Sequence, residues 1–165
     1  RMIIASEGSD TREGIMKDEN GVLRYYVDDV AQKNLGLIEL DGRFYYVNGS
    51  GEVINGKDYN ITKTNGLHYQ KEDGSAADFV SGGKYTFGDD GALCWYDGIA
   101  EVGGVKYYYV NGVKTYAGLI QIGSDYYYVN SSCKLVTDSS YYVSKTNGLK
   151  EAGTYSFDAE GRLTD

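Results

Sequence analysis

One four-residue frame recurs eight times along the chain: any residue, Tyr, any residue, then Val, Ile or Phe. Its tyrosines are Tyr25, Tyr45, Tyr59, Tyr85, Tyr108, Tyr127, Tyr141 and Tyr155. The apolar partners two places on are Val27, Val47, Ile61, Phe87, Val110, Val129, Val143 and Phe157. The residue between them drifts, from Tyr26, Tyr46, Tyr109, Tyr128 and Tyr142 to Asn60, Thr86 and Ser156. Alternation of period two predicts a β-strand with one buried face. Positions two and four are expected to point inward, Tyr25, Tyr45, Tyr108 and Tyr127 among them, and positions one and three outward. A turn-forming Asn or Asp often follows the frame, then Gly, as in Asn48-Gly49-Ser50-Gly51 and Asp89-Asp90-Gly91. Such residues close tight turns, so each frame is expected to be the first strand of a β-hairpin. Gly followed by Leu or Ile, at Gly14, Gly36, Gly66, Gly98, Gly118 and Gly148, reads as the corner to the next hairpin.

A larger period lies above the small one. Gly36 to Leu67 aligns without gaps on Gly118 to Leu149, with 14 of 32 positions identical. Gly14 to Val30 matches Gly98 to Val113, and Lys84 to Leu93 matches Thr154 to Leu163. The chain therefore reads as a lead-in over residues 1–13 and two four-hairpin cassettes over residues 14–97 and 98–165. The first cassette carries 12 extra residues. They lie within His68 to Gly83, a polar, Gly-rich stretch expected to be a loop over residues 68–83. The fold class is all-β: a repeat β-solenoid of stacked antiparallel β-hairpins. Stacked arrays of this kind mostly present binding surfaces.

Composition narrows the function. There are 18 Tyr, 23 Gly and no Pro, which suits paired strands joined by many turns. The net charge of −8 argues against nucleic-acid binding, which uses basic patches. It permits a neutral glycan. No stretch approaches the roughly 20 apolar residues of a membrane span, so no membrane insertion is expected. The chain starts at Arg1 and carries no signal peptide, so neighbouring domains in a longer protein are expected. Cys94 and Cys133 lie at non-equivalent repeat positions, which leaves a disulfide possible but weakly supported.

Tyr or Phe fills one or both outward places in five frames. Tyr is an apolar plate with a polar handle, suited to a sugar ring or a cation. The candidate carbohydrate-binding residues are Phe44, Tyr46, Tyr107, Tyr109, Tyr126 and Tyr128, with the single Trp, Trp95, at the cassette boundary. Packing between hairpins is the competing role for the same rings, and a plug at the boundary for Trp95. No catalytic residues, metal site or cofactor are expected. His68 is alone and reads as a solvated loop histidine. The clusters Asp18-Glu19-Asn20-Gly21 and Asp89-Asp90-Gly91 lack the ligand order of a calcium loop and read as turns.

The run Gly-Leu-Ile, then Phe/Tyr-Tyr-Tyr-Val-Asn, at Gly36–Asn48 and Gly118–Asn130, resembles the cell-wall-binding repeats of Gram-positive surface proteins. That superfamily includes choline-binding, glucan-binding and clostridial toxin-type repeats. The resemblance spans Gly14 to Leu163. It implies a hairpin solenoid that attaches a secreted protein to a cell-wall or extracellular glycan, and so a location outside the cell or at its surface. In choline-binding repeats Trp follows the corner Gly. Here Ile15, Leu37, Leu67, Ile99, Leu119 and Leu149 stand there, so the pattern lies closer to the glucan-binding and toxin types. A spacer or self-association stalk with no ligand is the alternative.

Overall fold

The computed structural model describes residues 11–165; most of the lead-in expected over residues 1–13 lies outside them. The chain falls into two compact units that part between Trp95 and Tyr96. Among the described residues there is no helix.

In the first unit β1 (Gly14–Lys17), β2 (Leu23–Val27) and β3 (Val30–Ala31) form one sheet. The strands β4 (Gly36–Leu40) and β5 (Arg43–Val47) form a hairpin. After β6 (Lys57–Asn60) comes a separate hairpin of β7 (His68–Gln70) and β8 (Ala76–Asp78). Then β9 (Lys84–Phe87) lies between β6 and β10 (Leu93–Cys94). In the second unit β11 (Gly98–Val102), β12 (Val105–Val110) and β13 (Val113–Lys114) form a sheet. Two hairpins follow: β14 (Gly118–Ile122) with β15 (Asp125–Val129), and β16 (Ser139–Val143) with β17 (Gly153–Phe157). All these pairings are antiparallel.

The hairpins start one segment earlier than the frames suggest. At Gly14, Gly36, Gly98 and Gly118 the Gly-Leu/Ile piece opens a strand that pairs with the following frame. The cause is turn chemistry. Asp41-Gly42 and Gly103-Gly104 take φ of 53°, 79°, 61° and 81°. Two consecutive positive φ values make the tight turn whose twist matches a hairpin. The frame is thus the second strand, and the Asn/Asp-Gly turn after it returns only a short rung, such as Val47 opposite Val53 and Val129 opposite Leu135. At Gly66 and Gly148 the same dipeptide lies in a turn. There the frames pair with each other, Tyr59 opposite Tyr85 and Tyr141 opposite Tyr155. Four frames per unit are therefore carried on three sheets.

The sequence duplication is also a duplication of contacts. Leu119, Tyr128, Val136, Val143 and Phe157 form the core of the second unit. Their counterparts Leu37, Tyr46, Ile54, Ile61 and Phe87 are all buried in the first. The Leu37 amide donates to the Lys63 carbonyl at 2.9 Å, and Leu119 to Lys145 at 3.0 Å. Asn65 Nδ2 donates to the carbonyls of Leu35 and Leu37, and Asn147 Nδ2 to those of Ala117 and Leu119. Gly36 and Gly118 sit under these lysines, where a Cβ would lie 2.6 Å and 2.7 Å from the nearest lysine atom. Glycine is required there by contact and by positive φ together.

Burial differs from the expected inside and outside. The fourth frame position is buried in six frames, while Val27 and Val110 are exposed. Tyr26, Tyr46, Tyr109 and Tyr128, at the third position, are buried too. Tyr25, Tyr108 and Tyr127, expected in the core, are half-buried, and Tyr45 alone of that set is buried. The reason is that both faces of a narrow sheet are covered. Tyr45 and Val47 pack with Leu23, Val53 and Ala92 on one side of β5. Tyr46, on the other side, packs against Tyr59 at a centroid distance of 5.4 Å.

Candidate functional site: an aromatic groove in the first unit

The segment expected as a loop over residues 68–83 contains the hairpin β7–β8, with Tyr69 opposite Ala77. Its turn is closed by Asp73, whose Oδ1 accepts from the Ser75 amide and hydroxyl. This short hairpin buries Ala77 and Phe79. Phe79 is the centre of an aromatic cluster. Its ring lies 4.9 Å from Phe44 on β5, 5.5 Å from Tyr85 on β9 and 5.9 Å from Trp95, which follows β10. Tyr69 lies parallel to Trp95 at 4.0 Å, with 3° between the planes, and 6.1 Å from Phe44. Offset and edge contacts of this kind are favourable beyond the area they bury.

Beside the cluster runs a groove of about 470 Å³ lined by Arg43, Phe44, Tyr69, Asp90 and Trp95 among others. A neighbouring hollow of about 370 Å³ shares Gly42, Phe44 and Tyr69 and adds Glu39, His68 and Gln70. Arg43 and Asp90 are paired at 2.8 Å, both side chains more than half exposed. The Ala92 amide and then the Arg43 guanidinium hold the Asp90 carboxyl below its usual range, and Asp90 raises Arg43 in turn. The groove therefore combines flat apolar rings with a fixed donor and a fixed acceptor. An apolar lining with a few placed polar groups is the general make-up of a small-molecule site.

A third hollow, of about 420 Å³, is lined by Ile15, Tyr25, Leu40, Asp41 and Tyr45, among others. Ile15 is a position where choline-binding repeats carry Trp. Among the described residues no group of three or more His, Cys, Asp or Glu side chains is placed to hold a metal. Asp18 Oδ1 accepts from the amides of Asn20 and Val22, as an Asx turn does.

Phe44 and Trp95 are brought into one groove, although Phe44 is itself buried. Tyr46, Tyr109 and Tyr128 are corrected: at 5%, 0% and 4% exposure they present no ring face to a ligand. Tyr46 lies under the chain at Thr62 and Lys63, whose amides donate to its oxygen at 3.3 and 3.2 Å. Tyr109 packs on Tyr96 and Tyr128 on Tyr141. Tyr107 and Tyr126 are half-buried, and the chain's own lysines cover them. Lys114 Nζ lies 3.4 Å from the Tyr107 centroid, and Lys150 Nζ lies 4.6 Å from that of Tyr126. Tyr69 and Phe79 are not among the site residues expected from the sequence. The available signal was Asp73-Gly74 between two short alternating runs, outweighed by the polar composition around it.

No family model matches the chain, and no curated protein matches it. Solved structures do. CbpJ from Streptococcus pneumoniae TIGR4 is 21% identical, with a TM-score of 0.37, over 93% of this chain and 48% of that one. The multimodular pneumococcal cell wall endolysin from phage Cp-1, complexed with choline, is 18% identical, with a TM-score of 0.43, over 94% and 38%. Alternansucrase in complex with isomaltotriose is 22% identical, with a TM-score of 0.37, over 92% and 12%. The chain spans about half the length of CbpJ and less of the other two.

Proposed function

We propose that this segment is a non-catalytic binding module that holds a secreted protein on a cell-wall or extracellular glycan. The observation that carries the reading is the groove in which Phe44, Tyr69 and Trp95 lie beside the Arg43–Asp90 pair. The apolar face of a sugar ring rests on the aromatic wall, and its hydroxyls meet the guanidinium and carboxylate. A net charge of −8 favours a neutral glycan over a polyanion. Hairpins wound as a solenoid, in two duplicated cassettes, would repeat shallow sites along the chain and supply avidity. The protein would act at the cell surface, joined to neighbouring domains that it delivers.

A choline anchor is disfavoured by two features of the chain. Apolar Ile or Leu follows each corner Gly, and lysines already cover the faces of Tyr107, Tyr116 and Tyr126. A ligand-free stalk is the second reading, favoured by the burial of Tyr46, Tyr109 and Tyr128 between segments. Titration with isomaltotriose and with free choline separates the three. The single Trp95 reports the groove directly by fluorescence. The expected result is a saturable change with the oligosaccharide, lost in Tyr69→Ala, and little response to choline. No change with any glucan or peptidoglycan oligosaccharide leaves the stalk, and saturation by low-millimolar choline leaves the choline anchor.

A further inference from the structure

The two units treat one duplicated surface differently. In the first unit Phe44 and Tyr85 form a shelf that is filled by Phe79, and exposure falls to 6% and 0%. The counterparts in the second unit are Tyr126 and Tyr155, both packed on the core of Leu119, Tyr128, Val136, Val143 and Phe157. There the connection between β16 and β17 is 12 residues shorter, and no inserted hairpin exists. Tyr126 and Tyr155 remain half-buried, with partly buried Leu149 and Leu163 around the same core. Both rings are tied to the same short connection. Lys150 stands over Tyr126, and the Tyr155 hydroxyl donates to the Glu151 carbonyl at 2.7 Å.

We propose that the Tyr126–Tyr155 shelf is a second sugar-binding site, and that the inserted hairpin closes its twin in the first unit by placing Phe79 where a pyranose would sit. The inference rests on the glycan reading above. The occupant follows from the duplication: the shelf in the first unit holds a flat six-membered ring, the size of a pyranose, against two aromatic residues. In the second unit no hairpin is inserted at that place, and the Lys150 ammonium lies 4.6 Å from the Tyr126 centroid. A sugar ring seated on Tyr126 shifts this ammonium to the rim, where it donates to the hydroxyls. The first unit then binds through the groove that the insertion builds from Tyr69 and Trp95, and the second through the shelf that the insertion would otherwise fill.

The intact chain titrated with isomaltotriose, followed by residue-resolved NMR and by Trp95 fluorescence, tests this. Shifts are expected both around Trp95 and at Tyr126, Leu149 and Tyr155. Tyr126→Ala should abolish the second set and leave the fluorescence titration unchanged. Replacing residues 68–83 by the connection of the second unit, residues 150–153, should open the first shelf and bring ligand shifts to Phe44 and Tyr85. Phe79→Ala tests the same point without a deletion. Shifts confined to the first unit of the unaltered chain would overturn the second site and leave the glycan reading standing. Absence of any shift would overturn both.

Discussion

Tyr46 and Tyr128 occupy equivalent places and carry opposite electrostatics. Burial alone pushes the Tyr46 hydroxyl up, but its bonds with the Thr62 hydroxyl and the amides of Lys63 and Thr62 outweigh that and lower it. For Tyr128 the balance runs the other way. Burial, and then a hydrogen bond with Tyr116, raise it to about 12. The sign of the consequence is definite. The neutral form of Tyr128 is favoured in the fold, so its contribution is complete below pH ~10, the ordinary tyrosine value, and is lost as pH rises towards about 12. Alkaline unfolding of Tyr128→Phe should lack that step, and an unchanged pH profile would refute the assignment. Tyr46→Ala should cost roughly 3–5 kcal/mol, the scale of a buried aromatic truncation. That is at least the cost of Tyr45→Ala, and thermal melts of the two variants compare them directly. A clearly smaller loss at Tyr46 would restore the outward assignment of the third position.

At the scale of elements, the corner clamp is the feature most worth breaking. Asn147 donates to two carbonyls, Ala117 and Leu119, at 2.7 and 2.8 Å. Removing both bonds leaves the partly buried Leu119 carbonyl one donor short. Asn147→Ala should cost roughly 1–3 kcal/mol, while Asn147→Asp should not rescue it, because a carboxylate cannot donate. Chemical denaturation midpoints read both. The strands themselves were legible: every frame lies on one or ends one residue past it, because Tyr and then Val, Ile or Phe recur two residues apart in each. What misled was the choice of turn. Asn48 to Val53 carries the stronger turn signature, yet Asp41-Gly42 makes the longer hairpin, because it is flanked by two five-residue strands that pair in full. The hairpin within the insertion is hidden for a similar reason. Three-residue strands carry too few apolar positions to show a period, and β7–β8 is held by where Tyr69 and Phe79 pack rather than by its own pattern.

For the whole molecule, charge and duplication make a joint statement about binding. A neutral glycan held by rings and one ion pair gains little from long-range attraction, because exposed charges are screened beyond about 10 Å at 0.1 M salt. Retention on an insoluble glucan should therefore survive a rise from about 0.1 to 1 M sodium chloride, a range over which the screening length falls from about 10 to 3 Å. Elution by salt alone would point to an ionic partner instead. The sequence by itself determined the all-β class, a strand at each frame and the duplication, since all three are periodic and period survives without knowledge of contacts. It also marked Trp95 and Phe44 as candidate site residues. Only the tertiary structure decided which rings are open. Narrow sheets bury both faces, so alternation does not tell solvent from neighbour, and Tyr46, Tyr109 and Tyr128 are covered while Tyr69 joins Trp95. That choice depends on residues far apart in the chain coming together, as Phe44, Phe79 and Trp95 do, and no local pattern encodes it.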